Sequence, residues 1–303
     1  MAIQTKIIKQ KMSSIGNIRK ITKTMEMVSV SKMKKAVRAS IASRDYSRYA
    51  LELLVTLSKE RNIPHPLLEI GKGNKTLIVI VASNKGLCGG YNVNISKAVS
   101  KLKKKESDLE IEAITIGKQA ERIANRNKIK IIASLNEFKE SITLDEINVL
   151  KKIVLKEFID LKKYKNVLVV YTQFVKQLDY QPKIIELIPV SPKTTRNIID
   201  TTEEGRENDY FDKKSMILYL FEPDEEKVLN KVIPDLLSST LLQIMIESQA
   251  SEQSSRMVAM RNATENAGEL LDDLSLTYNR ARQASITQEV AEIIGGAEAL
   301  NNK

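Results

Sequence analysis

A glycine-rich stretch, SNKGLCGG at residues 83–90, holds the residue types best suited to chemistry. It follows a predicted strand and precedes a predicted helix, where α/β proteins hold phosphate groups. Its spacing matches neither GxxxxGK[ST] nor GxGxxG. The stretch therefore favours a tight backbone turn, and a nucleotide site stays open as an alternative.

Cys88 and His65 are the only cysteine and the only histidine of the chain. A Cys–His nucleophile pair would require the proline-flanked linker that holds His65 to fold over the sheet. One cysteine excludes a disulfide framework, and one of each residue argues against a His/Cys zinc site. No pair of carboxylates stands out as an acid–base couple. We therefore expect an interaction protein with no active site, no metal and no cofactor.

The middle of the chain alternates short β-branched runs with helical patterns. Such alternation predicts a Rossmann-like α/β domain over residues 75–222, with a mainly parallel sheet and helices on its faces. Residues 58–74 and 192–212 look like linkers or loops. Predicted strands lie at 76–82, 111–116, 129–132, 167–172, 184–188 and 216–221, and predicted helices near 92–105, 117–127 and 143–164.

The N-terminal segment, 1–57, predicts one long helix. It contains no proline, and its apolar residues recur at intervals of three and four, which indicates a single helical stripe. The stripe consists of Ile8, Met12, Ile15, Ile18, Ile21, Met25 and Val28.

The C-terminal segment, 224–303, predicts a second long helix. Pro234 and Asp235 suit its first turn. Further on, spacings of three and four alternate over four heptads, a pattern typical of a coiled-coil seam with small and polar members. The seam residues are Met257, Met260, Thr264, Ala267, Leu271, Leu274, Tyr278, Ala281 and Ser285.

Charge is divided unevenly along the chain, whose 303 residues carry a net charge of +10. Residues 1–56 hold 12 Lys/Arg against 3 Asp/Glu, whereas residues 235–303 hold 5 against 10. Opposite charge and similar length predict that the two terminal helices form an antiparallel coiled coil. Basic clusters near Lys35 and Lys103 leave nucleic-acid binding as an alternative, although no aromatic residues interleave with them.

The longest apolar run spans about six residues (77–82), too few to cross a bilayer. The first residues lack the apolar core of a signal peptide. With a single cysteine, these features predict a soluble protein of a reducing compartment.

Several long motifs, in one order along the chain, resemble the γ subunit family of the F-type ATP synthases. They are ITKTMEMV at 21–28 with SKM at 31–33, GLCGG at 86–90, ESQASEQ at 247–253 with RMVAM at 256–260, and YN at 278–279 with ARQASITQE at 281–289. The resemblance covers essentially the whole chain.

The resemblance implies a central rotor shaft rather than an enzyme. The terminal helices would enter a ring of three α and three β subunits, and the α/β domain would dock on the ε subunit and the membrane c ring. Ion flow through the c ring would thereby be coupled to ATP synthesis or hydrolysis on the β subunits.

Contact residues follow from the same resemblance, residue by residue. Arg282, Gln283, Thr287 and Glu289 match positions facing a catch loop of β, and Met25 lies at the matching level of the other helix. Further family positions that contact β correspond to Lys85, Gly86, Leu87 and Cys88 in this chain. Family positions that contact the c ring correspond to Tyr219, Phe221 and Glu222 in this chain. The apolar tip that would turn inside the ring comprises Ile286, Val290, Ile293, Ile294 and Leu300.

The single cysteine excludes the redox dithiol of the photosynthetic members of that family. With no transit peptide, the resemblance implies a bacterial protein at the cytoplasmic face of the inner membrane, peripheral to it. Two other hypotheses stand beside the rotor: a nucleotide-binding enzyme using residues 83–90, and a nucleic-acid-binding coiled coil.

Overall fold

A computed structural model describes residues 2–60, 65–106, 109–136, 142–176, 179–191 and 224–301. The chain divides into two compact units, one of Ser29–Arg256 and one of Met1–Val28 with Met257–Lys303. Two long helices, α1 (Ala2–Glu60) and α5 (Glu225–Asn301), contribute to both units. The predicted strand at 216–221 and the predicted linker at 192–212 lie outside the described residues.

The larger unit contains a five-stranded sheet in the order β3-β2-β1-β4-β5. Its first three strands and β4 run parallel, and β5 pairs antiparallel with β4. This confirms the predicted mainly parallel sheet. The strands are β1 (Lys75–Val81), β2 (Glu110–Ile116), β3 (Lys130–Leu135), β4 (Tyr164–Lys176) and β5 (Asp179–Ile188).

Helices cover both faces of the sheet, because its central strands are apolar on both sides. One face packs on α2 (Tyr91–Lys105) and α3 (Lys118–Arg126) through residues such as Ile95 and Ile123. The other packs on α4 (Leu144–Leu155) and on the first turns of α5, through residues such as Leu150 and Leu236. A π-helical turn, Lys156–Asp160, continues α4.

The start of α5 differs from the expectation placed on Pro234. The helix begins at Glu225, and the Asp224 carboxylate accepts a hydrogen bond from the backbone N–H of Lys227 at 2.8 Å. This is the geometry of an N-cap, so the cap lies eleven residues before Asp235, the residue that the sequence suggested for the first turn. Pro234 lies inside the helix, where the apolar face of residues 229–241 is packed into the core and holds the segment helical.

Within the larger unit, α5 is buried on nearly all sides although many of its buried residues are polar. A helix buried all round is usually apolar. Here short side chains bond to the neighbouring elements: Ser251 Oγ donates to the carbonyl of Thr172 at 3.1 Å, and the hydroxyls of Ser248 and Tyr91 lie 2.7 Å apart. Gln243 donates to Ser40 of α1 at 2.8 Å. These bonds fix both the rotation and the axial position of the helix.

The smaller unit is an antiparallel pair formed by the start of α1 and the outer part of α5. The hydroxyls of Thr22 and Thr264 lie 2.8 Å apart, and Gly268 faces the guanidinium of Arg19. A lower residue number on α1 thus meets a higher residue number on α5, so the two helices run antiparallel. The predicted α5 seam is confirmed, since all nine of its residues are buried or half-buried.

The predicted stripe on α1 is only partly correct. Ile8, Met12, Ile15 and Met25 are half-buried, but Ile18, Ile21 and Val28 are exposed. The buried seam passes through Thr22 and Ser29 instead. The hydroxyls of Thr22 and Thr264 meet at 2.8 Å, so the two helices approach closely at this level. The larger apolar residues Ile18, Ile21 and Val28 lie beside the seam.

Candidate functional site: two partner-contact surfaces

The glycine-rich stretch forms a turn, residues 83–90, between β1 and α2. Inside it, Ser83 Oγ donates to the carbonyl of Lys85 at 2.7 Å, and Asn92 Nδ2 lies 2.8 Å from Ser83 Oγ and 3.0 Å from Cys88 Sγ. Gly117 supports the base of the turn. Its φ is +91°, and a Cβ there would meet the carbonyl oxygen of Ala82 at 2.3 Å, so only glycine fits.

Two neighbouring residues of α5 fasten this turn from the other side. Ser255 Oγ donates to the carbonyl of Cys88 at 2.6 Å. Arg256 Nη2 lies 3.4 Å from the carbonyl oxygens of both Lys85 and Gly86, and 2.7 Å from the Glu252 carboxylate. The turn is therefore a fixed feature of the larger unit.

The turn presents some of its predicted contact residues and hides one. Lys85 and Gly86 are exposed, and Leu87 is 66% exposed with a φ of 60°. Cys88 is 2% exposed, and burial raises the pKa of its thiol despite hydrogen bonding from Ser83. A partner at this surface would meet Lys85 and Leu87, with Cys88 beneath them.

The second surface is the outer part of α5. Arg282, Gln283, Thr287 and Glu289 are all exposed. Thr287 Oγ1 donates to the carbonyl of Gln283 at 3.0 Å and Glu289 accepts from Ser285 at 3.3 Å, so these bonds stay within the helix. Of the other predicted contact residues, Met25 is half-buried on α1 within the same unit.

Beyond residue 285, every residue of α5 up to 297 is exposed. The pairing of the two helices explains this. Thr22 meets Thr264 and Arg19 meets Gly268, so the start of α1 at Ala2 comes opposite about residue 285. From Ile286 on, α5 has no companion helix among the residues that the structure describes.

Four predicted tip residues form one apolar face on this unpaired helix. They follow at intervals of four, three and one, which places them on one side of an α-helix. Their exposure ranges from 48% at Ile286 to 70% at Ile293, with Val290 and Ile294 between. The side chain of Leu300 and the whole of Tyr219, Phe221 and Glu222 lie outside the described residues.

The basic cluster at the end of α2 has a structural role. Lys103 Nζ donates to the carbonyl of Asn127 at the end of α3, and Lys103, Lys104 and Lys105 occupy the last turn of α2. Cations near a helix C-terminus stabilise its dipole. Lys103 and Lys104, together with Arg126 and Lys128, border an open cavity of about 820 Å³.

Sequence reasoning missed Ser255, Arg256 and Glu252 as parts of the turn. They stand in a serine-rich run of α5 without apolar periodicity. Glu252 and Arg256 lie in motifs that carry the family resemblance, but those motifs do not indicate contact with the turn. An arginine within a helical stretch of small residues is a signal that could have marked it, because a buried cation needs acceptors from another element.

The chain thus combines a Rossmann-like domain with two long helices, and the last turns of α5 are exposed, apolar and without a companion helix. These features define a class of protein that works by contact with other subunits. The chain matches the family model described as ATP synthase over residues 4–300. An ATP synthase gamma chain of Halothermothrix orenii is 34% identical over 296 residues, covering 97% of this chain and 98% of that protein. The gamma chain of Alkaliphilus metalliredigens is 34% identical over 307 residues, covering 99% and 100%.

The chain therefore belongs to the ATP synthase gamma chain family, and the resemblance stated from its motifs is confirmed. Members of this family are non-catalytic, so the hypothesis of a nucleotide-binding enzyme that uses residues 83–90 is not supported.

Among solved structures, a chain of the Euglena gracilis mitochondrial ATP synthase OSCP/F1/c-ring has a TM-score of 0.66 at 20% identity, covering 99% of this chain and 95% of that one. A chain of the rotor of the same enzyme has a TM-score of 0.62 at 21% identity, covering 94% and 100%. These two establish the shared fold.

Among the described residues, none of the helices combines the length and the apolar character that crossing a bilayer requires.

Proposed function

We propose that this chain is the central rotor shaft of an F-type ATP synthase, coupling ion flow through a membrane c ring to catalysis on the β subunits. Its partners would be three α and three β subunits, the ε subunit and the c ring. Bacterial relatives of nearly equal length support a bacterial enzyme, with this chain peripheral to the cytoplasmic face of the inner membrane.

The observation that carries the proposal is the unpaired apolar face of α5. Four large apolar side chains exposed along one side of a lone helix are unfavourable in water and mark a surface that another protein covers. A sleeve of apolar residues inside the α/β ring would cover Ile286, Val290, Ile293 and Ile294, and Leu300 in the next turns. An apolar sleeve also permits rotation, because apolar contacts impose no directional bonds.

A second apolar strip supports enclosure by partners. Ile18, Ile21 and Val28 are 46–59% exposed beside the seam of the helix pair. The strip gives the helix pair one apolar side, whereas the exposed residues Lys20 and Lys23 lie on another side of α1. Such a shaft lacks rotational symmetry in its surface chemistry.

That lack of symmetry provides the mechanism. Three identical catalytic sites around one asymmetric shaft each meet a different face, so each is biased towards a different conformation. Rotation of the shaft passes these biases from one site to the next. The reverse follows from the same coupling, since hydrolysis at the sites drives the shaft.

The contact residues take their roles within this proposal. Exposed Arg282, Gln283, Thr287 and Glu289 would meet the catch loop of β, with Met25 at the same level on α1. Lys85, Gly86 and Leu87 would meet an acidic segment of β, supported from beneath by Cys88. Contacts to the c ring would come from Tyr219, Phe221 and Glu222.

Reconstitution with α and β subunits tests the proposal. The wild-type chain is expected to raise the ATPase activity of the α and β mixture, and Arg282→Glu to lower that stimulation several-fold without changing the circular dichroism of the chain. The matched control is Arg280→Glu, an exposed position two residues away on another side of α5. ATPase activity that does not depend on the wild-type chain would end the rotor proposal, whereas equal loss in both variants would remove Arg282 from the contact residues.

A further inference from the structure

The turn at residues 83–90 holds an exposed leucine in a backbone conformation that leucine rarely adopts. Leu87 has a φ of 60° and Gly89 a φ of 53°. A non-glycine residue with positive φ costs free energy and persists only where its surroundings enforce it. Inside the turn, Ser83 Oγ donates to the carbonyl of Lys85, and Asn92 Nδ2 approaches Cys88 Sγ. A second support reaches the tip at residues 85–87 from outside the turn.

Arg256 provides that support from α5. Its side chain is 10% exposed, and its Nη2 atom approaches the carbonyls of Lys85 and Gly86, the two residues before Leu87. Glu252, one helical turn earlier, anchors the guanidinium at 2.7 Å. Lys32 of α1 adds a further positive charge near Glu252, so both long helices contribute to the arrangement.

Ser255 adds a shorter bond on the far side of the tip. It donates to the carbonyl of Cys88 at 2.6 Å and accepts from the hydroxyl of Tyr180 at 3.0 Å. Carbonyls on both sides of Leu87 are thereby bonded to consecutive residues of one helix. Displacement of the turn relative to α5 within this unit would break both sets of bonds.

We propose that Arg256, assisted by Ser255, is a positioning residue that locks the exposed tip of the turn onto α5, so that force on Lys85 and Leu87 is transmitted to the helix. The transmission of force rests on the proposed rotor function, whereas the lock itself does not. One atom, Arg256 Nη2, approaches the Glu252 carboxylate and both turn carbonyls, so a lysine ammonium at this position would retain part of these contacts.

The single cysteine of the chain reports on the lock directly. In the full-length protein, labelling of Cys88 by a thiol reagent is slow while the tip stays closed over it, because the thiol is buried and its pKa is raised. Arg256→Gln is expected to raise the labelling rate about ten-fold, since charged hydrogen bonds that hold the closed state are lost. Arg256→Lys should give an intermediate rate.

Two controls separate local opening from general loss of stability. Arg261→Gln removes an arginine from a similar pair, with Glu265 at 3.1 Å, on the exposed surface of α5. Its labelling rate should equal that of the wild type at an equal urea midpoint. Ser255→Ala should accelerate labelling, and Tyr180→Phe, which leaves the bond to Cys88 in place, should not. Should Arg256→Gln fail to fold, the Ser255 and Tyr180 pair still decides the question.

Reconstitution with α and β then tests the transmission of force. Faster labelling together with reduced ATPase stimulation by Arg256→Gln supports the proposal. Labelling at the wild-type rate overturns the lock, and faster labelling with full stimulation overturns the positioning role. Failure of the wild-type chain itself to stimulate ATPase activity refutes the rotor proposal instead, so the two failures are distinguishable.

Discussion

Glu112 is a buried carboxylate whose charge is matched by three neighbours. It accepts hydrogen bonds from Lys130 Nζ at 2.9 Å, from Lys75 Nζ at 3.2 Å and from the Tyr164 hydroxyl. Burial by itself would raise its pKa, but the three hydrogen bonds outweigh burial and lower the pKa of Glu112 to about 2. The ionised form is thus tied to the folded state.

Folding stability should therefore depend on the ionisation of Glu112. The pKa in the folded state lies below the ordinary value of 4.5, so the stabilisation is complete above about pH 4.5 and is lost as the pH falls towards 2. A shift of this size corresponds to about 3 kcal/mol. Glu112→Gln should lower the free energy of unfolding by this order at pH 7, with the difference from wild type narrowing as the pH falls, measured by urea denaturation.

Glu110 offers a matched control for that prediction. It accepts from the same Lys75 at 2.9 Å, but its side chain is 61% exposed. An exposed ion pair contributes at most about 1 kcal/mol. Glu110→Gln should therefore cost little at any pH, and an equal effect of the two substitutions would contradict the role assigned to burial.

Among the elements, the antiparallel helix pair has small residues in one part of its seam, at Thr264 and Ala267. Ala267 is 6% exposed, and the Thr22 and Thr264 hydroxyls meet across the seam. Close approach of two backbones improves van der Waals contact, but it leaves no room for larger side chains.

Ala267→Leu should therefore destabilise the pair although leucine is the residue most often found in helix seams. Overpacking typically costs about 1–3 kcal/mol. The helical circular dichroism of the full-length chain should melt at a lower temperature, whereas Ala291→Leu at an exposed position of α5 should leave the transition unchanged. A higher melting temperature for Ala267→Leu would indicate that the seam has room for a larger side chain at this position.

Element types were predictable from sequence, and side-chain register was less so. Five predicted strands and both long helices are present because β-branched runs and helical periodicity are local signals. The stripe on α1 was misassigned at Ile18, Ile21 and Val28 because apolarity marks surfaces that partners cover as well as surfaces within one chain. The bonds of Ser255 and Arg256 join residues more than 160 positions apart, and no local pattern carries that information.

At the scale of the whole molecule, charge is segregated along the chain. The first 56 residues carry a net +9, and α1 exposes Lys34, Lys35 and Arg38. Opposite charge on a partner accelerates association through long-range attraction. In the proposed assembly, this basic segment faces an acidic surface of the β subunits.

Charge reversal of that segment should slow assembly in a salt-dependent way. Lys35→Glu with Arg38→Glu is expected to lower the association rate with α and β several-fold at low ionic strength, with the difference disappearing near 1 M salt, where screening acts within about 3 Å. Stopped-flow fluorescence measures the rate, and Lys152→Glu with Lys183→Glu, at exposed positions of α4 and β5, is the control. Equal slowing in both double variants would assign the effect to net charge alone.

The end of helical pairing near residue 285 has a mechanical consequence. Two wound helices resist torsion far better than one, because torsional rigidity rises steeply with cross-section. Under load, the last turns of α5 would yield first, so angular lag would accumulate there while the paired region turned almost as a solid rod. Elastic energy held in that short compliant stretch would smooth the delivery of work between successive catalytic events.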